Sequence, residues 1–107
     1  MRINTQGRQV LRWNEALYDL DDVTAIAKRQ HIQKVKVTDL NPSGSHAELS
    51  PPFPNPVLDE VVYTKHGEGL VILMGYHKVA QAESLDRTEV PARFISAYAL
   101  KSAKIQL

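Results

Sequence analysis

The sequence predicts an α+β domain in which strands pack against two to three helices, and three observations carry that prediction. The run "LVILMG" at residues 70–75 is continuously apolar, ends at a glycine and leads into "YHKVAQAESLD". Such a run reads as a strand covered on both faces, followed by a helix. "IQKVKVTDL" alternates, with Val35 and Val37 facing one way and Lys34 and Lys36 the other, as a half-buried strand does. "VTAIAKR" places Val23, Ile26 and Ala27 at i, i+3 and i+4, the stripe of an amphipathic helix.

Taken in order, residues 9–13 (QVLRW) read as a short strand, and Asn14 to Tyr18 read as either a turn or a short helix. Asp21 or Asp22 is the expected N-cap of the first helix, with Lys28 and Arg29 at its negative end. That distribution complements the helix dipole. The stretch 41–56, "NPSGSHAELSPPFPNP", holds five of the six prolines. Proline removes ladder donors and restricts the residue before it, so a proline-rich loop is expected there. A loop of that length is usually functional, disordered or bound to a partner. Within it "SPPFPNP" suits polyproline II, which would expose Phe53 between Pro52 and Pro54 as an anchor for a protein partner.

"VLDEVVYT" and "LVILMG" are linked by Lys65-His66-Gly67-Glu68-Gly69, which predicts a β-hairpin because glycine supplies positive φ. Val79, Ala82 and Leu85 line one side of the following helix. "TEVPARFIS" is the next strand, with Pro91 expected near its start or at an edge, and "AYALKSAKIQL" is a short terminal helix. No repeat and no second domain is visible in residues 1–107, which read as a single domain.

Composition narrows the chemistry. With 43% hydrophobic residues the chain can bury an ordinary core. The net charge of +1 leaves nucleic-acid binding to a local basic face. Cysteine is absent, so disulfides, zinc–thiolate sites and thiol nucleophiles are excluded. The four histidines (31, 46, 66 and 77) repeat no metal-site spacing, and no metal site is expected. "MRINTQGRQVLRW" lacks the apolar core of a signal peptide and no apolar run approaches bilayer length, so a cytoplasmic protein with no membrane partner is expected.

The candidate site is the strand–glycine–helix element. The first N–H groups of a helix have no internal partners and, with the dipole behind them, suit a phosphate or carboxylate. Gly75 has no Cβ to obstruct an anion, and His77 and Lys78 fall in the first turn, where cations oppose the dipole unless an anion offsets them. The alternative is that Gly75 merely turns the chain and Lys78 is solvated.

"GYHKVAQAESLDRTEVPAR", with the hairpin "PVLDEVVYTKHGEGLVILMG" before it, resembles the C-terminal half of the ParB/sulfiredoxin fold. ParB-type domains carry a strand, then G-E-R-R opening an alanine-rich helix, then a V-P strand. Sulfiredoxins carry G-C-H-R and an I-P-A strand. Gly75, His77, Lys78, Ala80, Ala82, Val90 and Pro91 stand at the matching positions without a gap. The resemblance implies a small mixed sheet packed with helices and a nucleotide phosphate held by Gly75, Tyr76, His77 and Lys78. It implies ATP or CTP with Mg2+ as the cofactor class, and a DNA-linked role of plasmid or phage type with weak nucleotidase or nuclease activity. It identifies no catalytic residue.

The departures are chemical. Tyr76 stands where sulfiredoxins carry the thiol, and a phenol cannot perform that phosphoryl-sulfinic chemistry. His77 and Lys78 replace two arginines, which removes the bidentate guanidinium grip. The helix-turn-helix that reads DNA in ParB proteins has no counterpart in residues 1–107. These departures give a second expectation: a catalytically inactive scaffold that serves as a protein-binding regulator or inhibitor.

Lys28, Arg29, Lys34 and Lys36 are candidate nucleic-acid contacts, or else a solvated face balanced by Asp21, Asp22 and Asp39. Lys65, His66 and Glu68 at the hairpin tip read as a solvated turn rather than an acid/base pair. Asp59 and Glu60 are either magnesium ligands beside a phosphate or the exposed face of an edge strand.

Overall fold

The computed structural model describes residues 9–48 and 60–105. The first strand, β1 (Val10–Trp13), turns at Asn14-Glu15 into β2 (Ala16–Asp19). Both turn residues have positive φ, 51° and 62°, and Trp13 pairs with Ala16. This is the sign pattern of a two-residue type I′ hairpin, whose twist matches that of the flanking strands. The stretch 14–18 is therefore turn and strand, not helix.

Helix α1 (Leu20–Lys28) has its N-cap at Asp19, two residues ahead of Asp21, the nearer of the two expected caps. Asp19 is extended and its carboxylate accepts the Asp22 N–H at 3.1 Å. Asp21 and Asp22 lie in the first turn instead, still at the positive end of the dipole. Val23 and Ala27 are buried, as the spacing requires.

β3 (Gln33–Lys36) alternates as expected, with Val35 buried between exposed Lys34 and Lys36. It gives way at Val37–Asp39 to a 3-10 turn, so Val37 is buried from that turn and not from the strand. β4 (Leu40–Pro42) and β5 (His46–Glu48) then lie inside the stretch read as proline-rich loop. Pro42 is tolerated because β4 is an edge strand, paired with one neighbour only. Phe53, Pro52, Pro54 and Asp59 lie outside the described residues.

β6 (Val61–His66) and β7 (Gly69–Met74) form the hairpin, tighter than predicted, with Gly67-Glu68 as its two-residue turn and Gly67 at φ 62°. α2 (Tyr76–Ser84), β8 (Glu89–Phe94) and α3 (Ala97–Lys101) complete the order. The α2 C-terminus is a Schellman turn: Arg87 N–H reaches Ala82 O at 2.8 Å and Asp86 N–H reaches Glu83 O at 3.1 Å. Asp86 takes the left-handed position usually given to glycine, at φ 54°.

Strands assemble as a mixed sheet, β3-β8-β6-β7-β4, and a three-stranded antiparallel sheet, β2-β1-β5. β8 runs antiparallel to β3 and parallel to β6, so it is an inner strand. Pro91 nevertheless fits, because the ladder with β6 begins one residue later, at Ala92. The mixed sheet separates two cores. Val62, Leu73 and Ile95 meet Leu11, Trp13, Val23 and Leu100 from β1, α1 and α3. Val61, Tyr63 and Ile72 meet Val79, Ala82 and Val90 on the α2 side. Burial of one such aliphatic side chain contributes about 1.5–3 kcal/mol. β7 is thus covered on both faces, which is what its unbroken apolar run required. No helix among the described residues is long and apolar enough to cross a membrane.

Candidate functional site

β7 ends at Gly75, which caps α2 in the left-handed region at φ 96° and offers no side chain to the helix amides. A Cβ at this position would stand 3.0 Å from the Val61 Cα and 3.4 Å from Val61 Cγ2. The missing side chain therefore faces β6, so the fold itself requires the glycine whether or not an anion approaches.

The Gly75 carbonyl accepts the Lys78 and Val79 N–H groups at 3.0 and 3.3 Å. The Tyr76 and His77 N–H groups have no acceptor among the described residues. The first turn carries no acidic residue, and His77 and Lys78 are exposed. α1 and α3, by contrast, are capped by Asp19 and by Ser96, whose Oγ accepts the Ala99 N–H at 3.1 Å. At α2 two amide donors and two basic side chains are thus left at the positive end of a helix, an arrangement that favours an anion.

Tyr76 has a different role from the other three. Its hydroxyl donates to Ile72 O at 3.0 Å and accepts the Ser43 N–H at 3.0 Å. It lies 2.9 Å from Ser43 Oγ and 3.1 Å from Ser45 Oγ. Ser43 Oγ donates to Ile72 O, and Ser45 Oγ donates to Leu73 O at 2.7 Å. The hydroxyls thus tie the Ser43–Ser45 turn to the end of β7 and the start of α2. Burial pushes the Tyr76 phenol up, but the hydrogen bonds from Ser43 and Ser45 together outweigh it and leave the group below the ordinary value of 10.0. Neither serine was legible as part of this element, because "PSGS" signals only a turn and its partner lies 33 residues away.

The basic candidates do not gather at this mouth. Lys28 and Arg29 sit at the far end of α1, and Lys34 and Lys36 lie on β3, at the edge of the mixed sheet. Three strand positions separate β3 from β7, about 14 Å at the usual spacing. Lys34 and Lys36 instead adjoin the C-terminal end of α2, where they share grooves of 370 and 640 Å³ with Arg87. A third groove, of 250 Å³, runs along α2 and β8 from Lys78 past Leu85 to Arg87. Sequence reading passed over Arg87.

Other candidates are accounted for by structure. The Glu60 carboxylate accepts Arg93 Nε at 2.8 Å and lies 2.6 Å from Arg93 Nη2. Arg93 Nη1 donates to the carbonyls of Gln30 at 2.9 Å and Lys28 at 3.3 Å. Glu60 is therefore half of a clamp on the α1 C-terminus, neither a free magnesium ligand nor an exposed strand face. His66 packs edge-on against Trp13, with ring centroids 5.5 Å apart. It lies at the opposite end of β7 from His77, about 18 Å along a six-residue strand, which rules out a shared metal. Among the described residues no three His, Cys, Asp or Glu side chains gather to hold a metal ion.

No protein-family model matches the chain, and no curated protein matches its sequence.

Proposed function

We propose that this domain binds the phosphate of a nucleotide or nucleic acid at the start of α2, in the manner its resemblance to the ParB/sulfiredoxin fold implies. The observation that carries the reading is the uncapped helix start: Tyr76 and His77 amides with no acceptor among the described residues, beside exposed His77 and Lys78, with no carboxylate in the turn. The amides hold the anion, Lys78 neutralises charge and His77 hydrogen-bonds. Tyr76 supports the mouth from behind through Ser43 and Ser45, so its ring has no part in stacking. ATP or CTP with Mg2+ and short DNA are the ligands to try, in keeping with a DNA-linked role of plasmid or phage type. The proposal is one of binding; no catalytic residue is assigned.

The test is a titration of ATP, CTP, GTP and short DNA, with and without magnesium, on the intact chain and on Lys78→Ala. Micromolar binding that the substitution abolishes is expected. No response at millimolar ligand contradicts it and leaves the second reading, a catalytically inactive scaffold that regulates a protein partner. One observation favours that second reading: Gly75 and Tyr76 are both explained by contacts within the fold, with Val61 and with Ser43 and Ser45.

A further inference from the structure

We infer that the outer edge of β3 is a docking site for an extended acidic peptide, which adds to the mixed sheet as a further strand. The inference is independent of the phosphate reading above, because β3 lies at the sheet edge and not at the start of α2.

The register shows which backbone groups are open. β3 pairs antiparallel with β8 as Gln33↔Ala92, Lys34↔Pro91, Val35↔Val90 and Lys36↔Glu89. One step further on, the Val37 N–H donates to Thr88 O at 3.0 Å. Hydrogen-bonded and non-bonded pairs alternate in such a ladder, so Gln33, Val35 and Val37 bond to β8 while Lys34 and Lys36 turn their backbone groups outward. Pro91 suits this phase, since the position opposite Lys34 asks for no N–H. The Lys36 C=O opens the 3-10 turn at Val37–Asp39. The Lys36 N–H and the Lys34 N–H and C=O are left along the outer edge without partners among the described residues.

The other edges are managed differently. β2 is closed by residues 103–105: the Asp19 N–H donates to Ala103 O and the Ile105 N–H to Leu17 O, each at 2.8 Å. β4 is three residues long and ends in Pro42. β5 runs directly into residues outside the described ones. β3 has neither a cover nor a proline, and such an edge is a template for another strand.

Charge decides which strand fits. A second copy of the chain does not: pairing β3 with itself about Val35 sets each Lys34 opposite a Lys36, and like charges directly opposite repel. Residues 28–36 hold Lys28, Arg29, Lys34 and Lys36 and no carboxylate. At the Lys36 end the signs balance, because Lys34, Lys36 and Arg87 adjoin Glu83, Asp86 and Glu89. The surplus lies at the other end, with Lys28 and Arg29, where Glu60 is already engaged by Arg93. An incoming antiparallel strand is therefore neutral opposite Lys36, apolar opposite Val35 and acidic from Lys34 onward. Ile32, 54% exposed just before β3, offers it a further aliphatic contact.

The probe is a fluorescein-labelled nonapeptide, Ser-Thr-Val-Glu-Thr-Ile-Glu-Glu-Ser. In this register it sets Thr against Lys36, Val against Val35, the first Glu against Lys34 and Ile against Ile32. Saturable anisotropy below millimolar protein is expected, with hydrogen exchange slowed at the Lys34 and Lys36 amides. N-methylation of the first Glu, whose N–H reaches the Lys34 C=O, should weaken binding at least tenfold. N-methylation of the Val, whose N–H points away from β3, should leave the affinity within twofold. Lys34→Glu, at an exposed position and checked by circular dichroism, should lose the peptide and bind a version carrying Lys for the first Glu. No saturable binding at millimolar concentration overturns the inference. Equal affinity of the two N-methylated peptides overturns it too, since charge alone would then be at work. Displacement by dT8 at lower concentration than by unlabelled peptide reassigns the cations to nucleic acid. A dimer that protects the Lys34 and Lys36 amides without peptide reassigns the edge to a second copy.

Discussion

Tyr76 and Ser43 are joined at two points: the phenol oxygen accepts the Ser43 backbone N–H at 3.0 Å and lies 2.9 Å from the Ser43 hydroxyl. One aromatic side chain at the first position of α2 thereby holds the turn that leads into β5. Tyr76→Phe keeps the ring and leaves the Ser43 N–H without its acceptor in a partly buried setting. A loss of about 1–2 kcal/mol is expected from urea denaturation. Faster amide exchange at residues 43–45 should accompany it.

The same contact fixes an order of ionisation. Hydrogen bonds leave Tyr76 below 10.0, whereas burial pushes Tyr18 and Tyr63 above it. Tyrosinate absorbance should show Tyr76 ionising before Tyr18 and Tyr63, and Tyr76→Phe should delete that early phase. The sign for stability follows from linkage. As pH rises from the native Tyr76 value toward 10.0, the folded chain releases a proton that the unfolded chain keeps, so Tyr76 adds stability there. Past 10.0, Tyr18 and Tyr63 retain protons that the unfolded chain has lost, and their contribution falls away.

Gly75→Ala separates the fold's demand for glycine from any ligand's. At φ 96°, with a new methyl 3.0 Å from the Val61 Cα, the substitution should cost at least about 1–2 kcal/mol in ligand-free protein. An unchanged denaturation midpoint would show that the β7–α2 junction has slack.

Much of this architecture was legible because it is written in local pattern. The unbroken 70–74 run, the alternation at Lys34–Lys36 and the two hairpin glycines each mark an element that formed. What escaped was non-local or against type. The Asn14-Glu15 turn could not be told from a short helix, because glutamate is an unusual residue at φ 62°. β4 and β5 were hidden by neighbouring prolines, whose cost vanishes at an edge. Arg93 and Glu60 are 33 residues apart, and nothing in the chain announces their pairing. At the candidate site the helix start could be read from "MGYHK", but not the distance of Lys34 and Lys36 from it, which depends on strand order.

Arg93→Ala should be the most damaging of the surface-proximal substitutions. It strands a Glu60 side chain that is only 12% exposed and frees the carbonyls at the end of α1. A partly buried pair broken on one side costs about 2–4 kcal/mol. Adding Glu60→Gln should recover part of that loss, and no recovery would mean that the carbonyl contacts dominate.

Three positions offer stabilisation. Thr64 is fully buried and its hydroxyl has no partner among the described residues, so Thr64→Val should gain about 1 kcal/mol. Glu15→Gly and Asp86→Gly place glycine where φ is positive, and each should gain roughly 0.5–1 kcal/mol in thermal or urea melts. A loss at Thr64→Val would reveal a bound water satisfying the hydroxyl.

The central claim, that the open amides at the start of α2 hold a phosphate, is tested most directly by following backbone amide resonances during a phosphate and nucleotide titration. Saturable shifts centred on Tyr76 and His77, lost in Lys78→Ala, are the predicted result. Amides that stay unmoved at millimolar phosphate, ATP and CTP would contradict it.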